Sequence, residues 1–173
     1  KNIHTLLGNH DYYMISGTCC DSKTVKMCID YQKTIIREDN FEWLKELMPS
    51  YDTEVASFRH GGWKDAVEER IKVFDFNVVS SFRQKFYFSG HTHKQSIQVD
   101  EKNGKVFCNP GSVGQPRDDD PRAAFVILHP DGEIKTYRVE YDIDEIVNKM
   151  KEANQGEWIW KGLYTGEKVG GNK

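Results

Sequence analysis

Three polar clusters, each set where a predicted strand stops, constrain this chain more than any other feature. Gly8-Asn9-His10-Asp11 follows the run Asn2 to Leu7, His60-Gly61-Gly62 follows the alternating segment Glu54 to Phe58, and Gly90-His91-Thr92-His93 follows Phe86 to Ser89. Four of the six histidines therefore stand at the predicted ends of three strands, in short glycine-containing turns. Glycine beside a polar residue lets backbone come close while the side chain projects. Folds that alternate strands and helices gather ligands where their strands run into loops.

The remaining segments supply the layers such strands need. Ser22 is placed to cap a helix from Lys23 to Ile36, and Asp39 a shorter one containing Phe41, Trp43, Leu44 and Leu47 that stops at Pro49. Asp65 to Phe74 is charged, with Val67, Ile71 and Phe74 spaced for one helical face packed into the core. Ser96 to Val99 and Lys105 to Cys108 flank Lys102-Asn103-Gly104 as a hairpin. Arg122 to Leu128 and Glu133 to Glu140 form a second hairpin across Pro130-Asp131-Gly132. Between them lies a Gly/Pro-rich loop, Asn109 to Arg117. Asp142 opens a helix to about Ala153, after which Trp158, Trp160 and Leu163 are expected to pack back on the body. The order predicts an α/β fold, a layered sandwich of two mixed β-sheets flanked by helices, as one domain over residues 1–173.

Composition narrows the function classes. With 173 residues the chain can bury a sizeable core. A net charge of -3 gives no broad basic footprint for nucleic acid, though it leaves room for a small phosphate substrate. The longest apolar runs, such as Ala123 to Leu128, are far too short to span a bilayer. Cys19, Cys20, Cys28 and Cys108 contain no C-x-x-C pair and read as free thiols of a reducing cytoplasm.

His91 and His93 are two residues apart, a spacing that in extended backbone puts both imidazoles on one side. Such a pair can serve one ion, or two ions about 4 Å apart. Imidazole and amide oxygen suit first-row divalent ions such as Mn, Fe, Ni or Zn. His4 and His129 lack this context and read as ordinary packed or surface histidines.

In their order, Gly8-Asn9-His10-Asp11, His60 before two glycines and Gly90-His91-Thr92-His93 resemble the later motifs of the calcineurin-like metallophosphoesterase superfamily. Cys108-Asn109-Pro110-Gly111-Ser112-Val113-Gly114-Gln115-Pro116-Arg117 resembles the branch of small bacterial and archaeal phosphodiesterases of the YfcE type. The resemblance implies a dinuclear site in which Asn9, His60 and His91 bind one divalent ion and His93 reaches the other, with Mn the first candidate. It implies that His10 is not a ligand but faces the substrate near its leaving group. Arg117 either grips a phosphate oxygen or forms a surface ion pair with Asp118-Asp119-Asp120. Asp11 either supports His10 or caps its own loop.

Two motifs that the resemblance requires, Asp-x-His and Gly-Asp-x-x-Asp/Asn, are missing, and both would precede the Gly-Asn-His strand. The expectation is that they lie upstream of Lys1, in a longer parent. The implied activity is hydrolysis of small phosphodiesters or phosphomonoesters. A nucleotide-polyphosphate hydrolase and a non-catalytic scaffold of the same fold are the alternatives, and the presence of His10 favours an enzyme over a scaffold.

Overall fold

The computed structural model describes residues 3–167. They form two compact units, one of residues up to His91 with Gln98–Phe107, the other of Thr92–Ile97 with the chain from Cys108 onward.

The first unit opens on helix α1 (Asn9–Ser16), followed by α2 (Lys23–Ile35) and α3 (Glu38–Glu46). The sequence reading expects a turn where α1 begins. Asp11 instead sits at the third helical position and its Oδ2 accepts the Gly8 N–H at 2.8 Å, half of a capping box. The buried face of α1 is Asn9, Tyr13 and Met14, so one of its inward residues is polar and the apolar periodicity is incomplete. Helix α2 is capped as expected by Ser22, whose Oγ accepts from Val25 N–H. Arg37, not Asp39, is the cap of α3; Asp39 lies in its first turn and pairs with the Arg37 guanidinium at 2.9 Å. Tyr13, Met14 and Ile29 form the core of the three helices, with Phe41 and Leu44 packed on it.

Strands β1 (Ser50–Asp52), β2 (Ala56–Arg59), β3 (Phe86–Ser89), β4 (Ser96–Asp100) and β5 (Lys105–Asn109) make a mixed sheet in the order β1-β2-β3-β5-β4. Strand β1 runs antiparallel to β2, and β2 runs parallel to β3 with Arg59 opposite Ser89. The run before Gly8 is not a full strand. Leu6 makes an isolated parallel bridge to Met48, and Leu7 N–H donates to the Met48 carbonyl at 2.9 Å. Met48 is flanked by the end of α3 and by Pro49, which has no N–H, so no second pair can follow.

Asp65 to Phe74 is not helical, against the periodicity. Gly61 and Gly62 N–H bind the carbonyls of Ala66 and Asp65, while Asp65 Oδ1 takes the N–H groups of Val67 and Glu68. The Ala66 carbonyl, which a helix would bond to the Arg70 N–H, is taken by Gly61, so the Asp65 carboxylate caps a single turn that goes no further. Gln98 accepts from Phe74 N–H and donates to the Lys72 carbonyl. The apolar residues still go inward: Ile71, Phe74, Val79, Tyr87 and Phe107 form one cluster, with Phe74 stacked on Phe107 at 4.5 Å and Trp63 edge-on to both.

In the second unit β6 (Ala123–Leu128) and β7 (Ile134–Val139) pair antiparallel, with Phe125 stacked on Tyr137. This second sheet is a two-stranded antiparallel ribbon among the described residues, narrower than the mixed sheet expected. Helix α4 (Ile143–Glu152) is capped by Asp142, as its sequence predicts, and α5 (Glu157–Trp160) follows. Ile159 and Leu163 are buried, and Trp160 lies under the Lys151 ammonium at 4.9 Å. Trp158 is 54% exposed, contrary to expectation, because its ring folds over Gly156 rather than inward. Among the described residues no helix is long and apolar enough to cross a membrane.

Candidate metal centre

Because β2 and β3 are parallel neighbours in register, the residues that follow them emerge at the same level. His60 comes directly after β2, and Gly90 N–H donates to the His60 carbonyl at 3.1 Å. The His60 N–H in turn donates to the Pro49 carbonyl, beside the Leu6–Met48 bridge that delivers Gly8. Three side chains meet there. His60 Nε2 lies 3.0 Å from Asn9 Oδ1 and 3.1 Å from His91 Nδ1. Asn9 and His91 are both buried. Burial pushes the His60 imidazole below its ordinary pKa, with Asp11 pulling the other way, so the ring is neutral at pH 7.

Two donors held about 2.1 Å from one ion at right angles to each other stand about 3.0 Å apart. The separations at His60 are of that size, and two imidazole nitrogens with an amide oxygen are a set that first-row divalent ions accept. Among the described residues no three His, Cys, Asp or Glu side chains form a metal-holding group, so this trio depends on its amide.

His91 and His93 are not extended. Both have left-handed backbone, φ 59° and 60°, a conformation costing a non-glycine residue on the order of 1 kcal/mol and held only by its surroundings. In the second unit, Asn109 Nδ2 donates to Thr92 Oγ1 at 2.9 Å, and the Arg117 N–H donates to the His93 carbonyl at 3.0 Å. His93 Nδ1 is 2.7 Å from the Gln115 carbonyl, which can only accept; Nδ1 therefore carries a proton, and in the neutral ring the lone pair is on Nε2. The loop containing Asn109-Pro110-Gly111-Ser112 thus sets the tautomer and backbone of His93.

His10 is exposed, beside its buried neighbour Asn9. With Asp11, Met14, Gln32, Arg37 and Asn40 it lines a cleft of about 310 Å³. Arg117 donates to Gln115 Oε1 at 2.6 Å, while the acidic run has other cations: Asp118 pairs with Arg138 and Asp120 with Arg122. Asp11 caps α1. His4 stacks on Tyr51 at 4.2 Å, an ordinary surface contact.

Sequence reasoning missed Tyr13. It is buried on the same face of α1 as Asn9, and its hydroxyl donates to Glu68 Oε1. Burial and the nearby Glu68 push the phenol well above its usual pKa, so it stays protonated. A tyrosine four residues after Asn9 is a signal only if that stretch is read as a helix.

Close approach at two glycines holds the trio together. A Cβ on Gly8 would sit 3.1 Å from His60 Cε1, and one on Gly61 would meet the Asp65 carbonyl at 2.7 Å and Glu69 N at 2.9 Å. On Gly90 it would make only a 3.7 Å contact. Gly61→Ala is therefore expected to destabilise the fold by about 1–3 kcal/mol, because backbone must yield. That is on the order of 2–12 °C in thermal midpoint. Gly90→Ala should change it little, and differential scanning calorimetry of the pair checks both.

The model of the calcineurin-like phosphoesterase superfamily domain matches residues 1–133. The chain belongs to the calcineurin-like phosphoesterase superfamily. Uncharacterized protein MJ0912 of Methanocaldococcus jannaschii is 27% identical over 192 aligned residues, covering 95% of this chain and 76% of that protein. The crystal structure of a metallophosphoesterase from Sphaerobacter thermophilus superposes with a TM-score of 0.82 at 26% identity, over 95% of this chain and 76% of its own. Hypothetical protein PH1004 from Pyrococcus horikoshii OT3 shares the fold, with a TM-score of 0.81 at 16% identity over 97% and 75% of the two chains. Calcineurin-like phosphoesterases generally hydrolyse phosphoesters with divalent metal ions.

Proposed function

We propose that this calcineurin-like chain hydrolyses small phosphodiesters or phosphomonoesters at a dinuclear divalent-metal site. The observation that carries the reading is the convergence of Asn9 Oδ1 and His91 Nδ1 on His60 Nε2. These three residues would hold one ion, and His93 is the proposed ligand of the second. Mn is the first candidate, with Fe, Ni and Zn suited to the same donors. When bound, the ions lower the pKa of water towards neutrality and neutralise charge on the phosphoryl oxygens.

The chain's own groups do the rest. His10, exposed at the start of α1, protonates the leaving oxygen. The cleft it lines takes the leaving group, with apolar contact from Met14 and polar groups from Gln32 and Asn40. Arg117 binds a nonbridging phosphate oxygen by two parallel hydrogen bonds. Four free cysteines agree with a reducing cytoplasm.

The test is a panel of phosphomonoesters and phosphodiesters incubated with protein from the full reading frame, with Mn²⁺ or with chelator. Hydrolysis of one ester class that disappears with chelator is the expected result. No hydrolysis with any of Mn²⁺, Fe²⁺, Ni²⁺ or Zn²⁺ would replace the enzyme with a scaffold.

A further inference from the structure

His93 is gripped by a loop, and that loop is itself held at both ends. Within it, the Gln115 carbonyl takes His93 Nδ1–H, and the Arg117 N–H donates to the His93 carbonyl. At its near end the Gln95 side-chain NH₂ donates to the Pro110 carbonyl at 3.1 Å and to the Phe125 carbonyl of β6 at 3.2 Å. At its far end Asp118 follows Arg117, and Asp118 Oδ2 accepts the Gln95 N–H at 2.9 Å. Gln95, two residues after His93, therefore touches both ends. One guanidinium joins them. From β7, Arg138 donates to both oxygens of Asp118, with Nη1 3.1 Å from Oδ1, and its Nε donates to Gln95 Oε1 at 3.1 Å. A planar fork with donors on two edges can do this; a lysine ammonium could not hold Asp118 bidentately and Gln95 together.

The Arg138 and Asp118 side chains are each only 16% exposed. Taking both charges out of water costs free energy that apolar residues of similar volume would not. Stability alone therefore does not explain the pair, and what it supplies is a fixed geometry at Gln95 and Asp118. We infer that Arg138, acting through Asp118 and Gln95, is a positioning residue for His93, because it clamps both ends of the loop that grips the His93 ring and backbone. Its effect on metal rests on the reading of His93 as a ligand of the second ion, whereas the clamp is present with or without metal.

The test compares the parent from the full reading frame with Arg138→Met and with Arg138→Lys, which keeps the charge but not the fork. In metal-free Arg138→Met the Gln95 and Arg117 amide protons should exchange with solvent about 10–100-fold faster than in the parent. The Gly90 amide, bonded to the His60 carbonyl, should keep its parent rate. In Mn²⁺ titrations one of two binding steps should weaken about tenfold and the other change about twofold or less. Arg138→Lys should follow in the same direction. If Arg138→Met does not fold because the Asp118 carboxylate has lost the guanidinium, D118L/R138M removes both charges and carries the same expectation. Equal acceleration at all three amides would mean that Arg138 supports the fold at large, and none would mean that it does not hold the loop. Two Mn²⁺ steps that weaken equally, or not at all, would mean that the clamp does not serve His93. Each of these overturns the inference alone, whereas a parent that binds fewer than two Mn²⁺ overturns the dinuclear reading beneath it.

Discussion

A His10→Ala variant is expected to keep its metal and to hydrolyse phosphoesters about 10²–10⁴-fold more slowly. The separation follows from the first turn of α1. Asn9 is buried and turns towards His60, whereas His10, the next residue, is exposed and lines the adjoining cleft. Removing an exposed side chain that makes no part of the core changes stability by about 0.5 kcal/mol or less. A group that acts only on the leaving oxygen contributes in the transition state, so kcat and kcat/KM should fall together. Elemental analysis beside steady-state kinetics measures both halves. A variant that turns over at the parent rate would remove His10 from the chemistry, and one that loses its ions would make it a ligand.

His91→Ala should do the opposite, losing metal and activity together, with turnover falling to the level of the chelated parent. His91 Nδ1 is one of three donors at the trio, and its ring is buried. Deleting it leaves His60 and Asn9 with a cavity where the third donor stood. The left-handed backbone at residue 91 remains left-handed with alanine, so that strain is common to both proteins and does not confuse the comparison. Circular dichroism should show the variant folded, and elemental analysis should show it depleted. Retention of the parent's ion content would exclude His91 from the ligand set.

The segments legible in the sequence were those whose signals are local. The two hairpins, the caps at Ser22 and Asp142 and the fully buried strand at Phe86–Ser89 each follow from turn chemistry or from a short, mostly apolar run. The positions of His60 and His91 just after β2 and β3 were legible too, because a strand that runs into a Gly-flanked polar residue leaves a pattern on the chain. What failed depends on distant partners. Helix α1 is invisible to hydrophobic periodicity because Asn9 lies on its buried face. The helical spacing of Val67, Ile71 and Phe74 is overridden by Gly61, Gly62 and Gln98, which claim the backbone groups a helix would use. The backbone at His91 and His93 is left-handed, and at His93 it is tied to Gln115 and Arg117, neither of which two-residue spacing can reveal. Tyr13 and Glu68 are 55 residues apart, and nothing in either segment points to the other.

Removing the ions tests the central claim most directly. Protein from the full reading frame would be stripped with chelator, dialysed and titrated with Mn²⁺ while hydrolysis of bis(p-nitrophenyl) phosphate and p-nitrophenyl phosphate is followed. The account predicts no turnover above buffer in the stripped protein and recovery that saturates as the dinuclear site fills. Turnover that survives complete removal of metal, or full metal loading without hydrolysis of either ester, would contradict it.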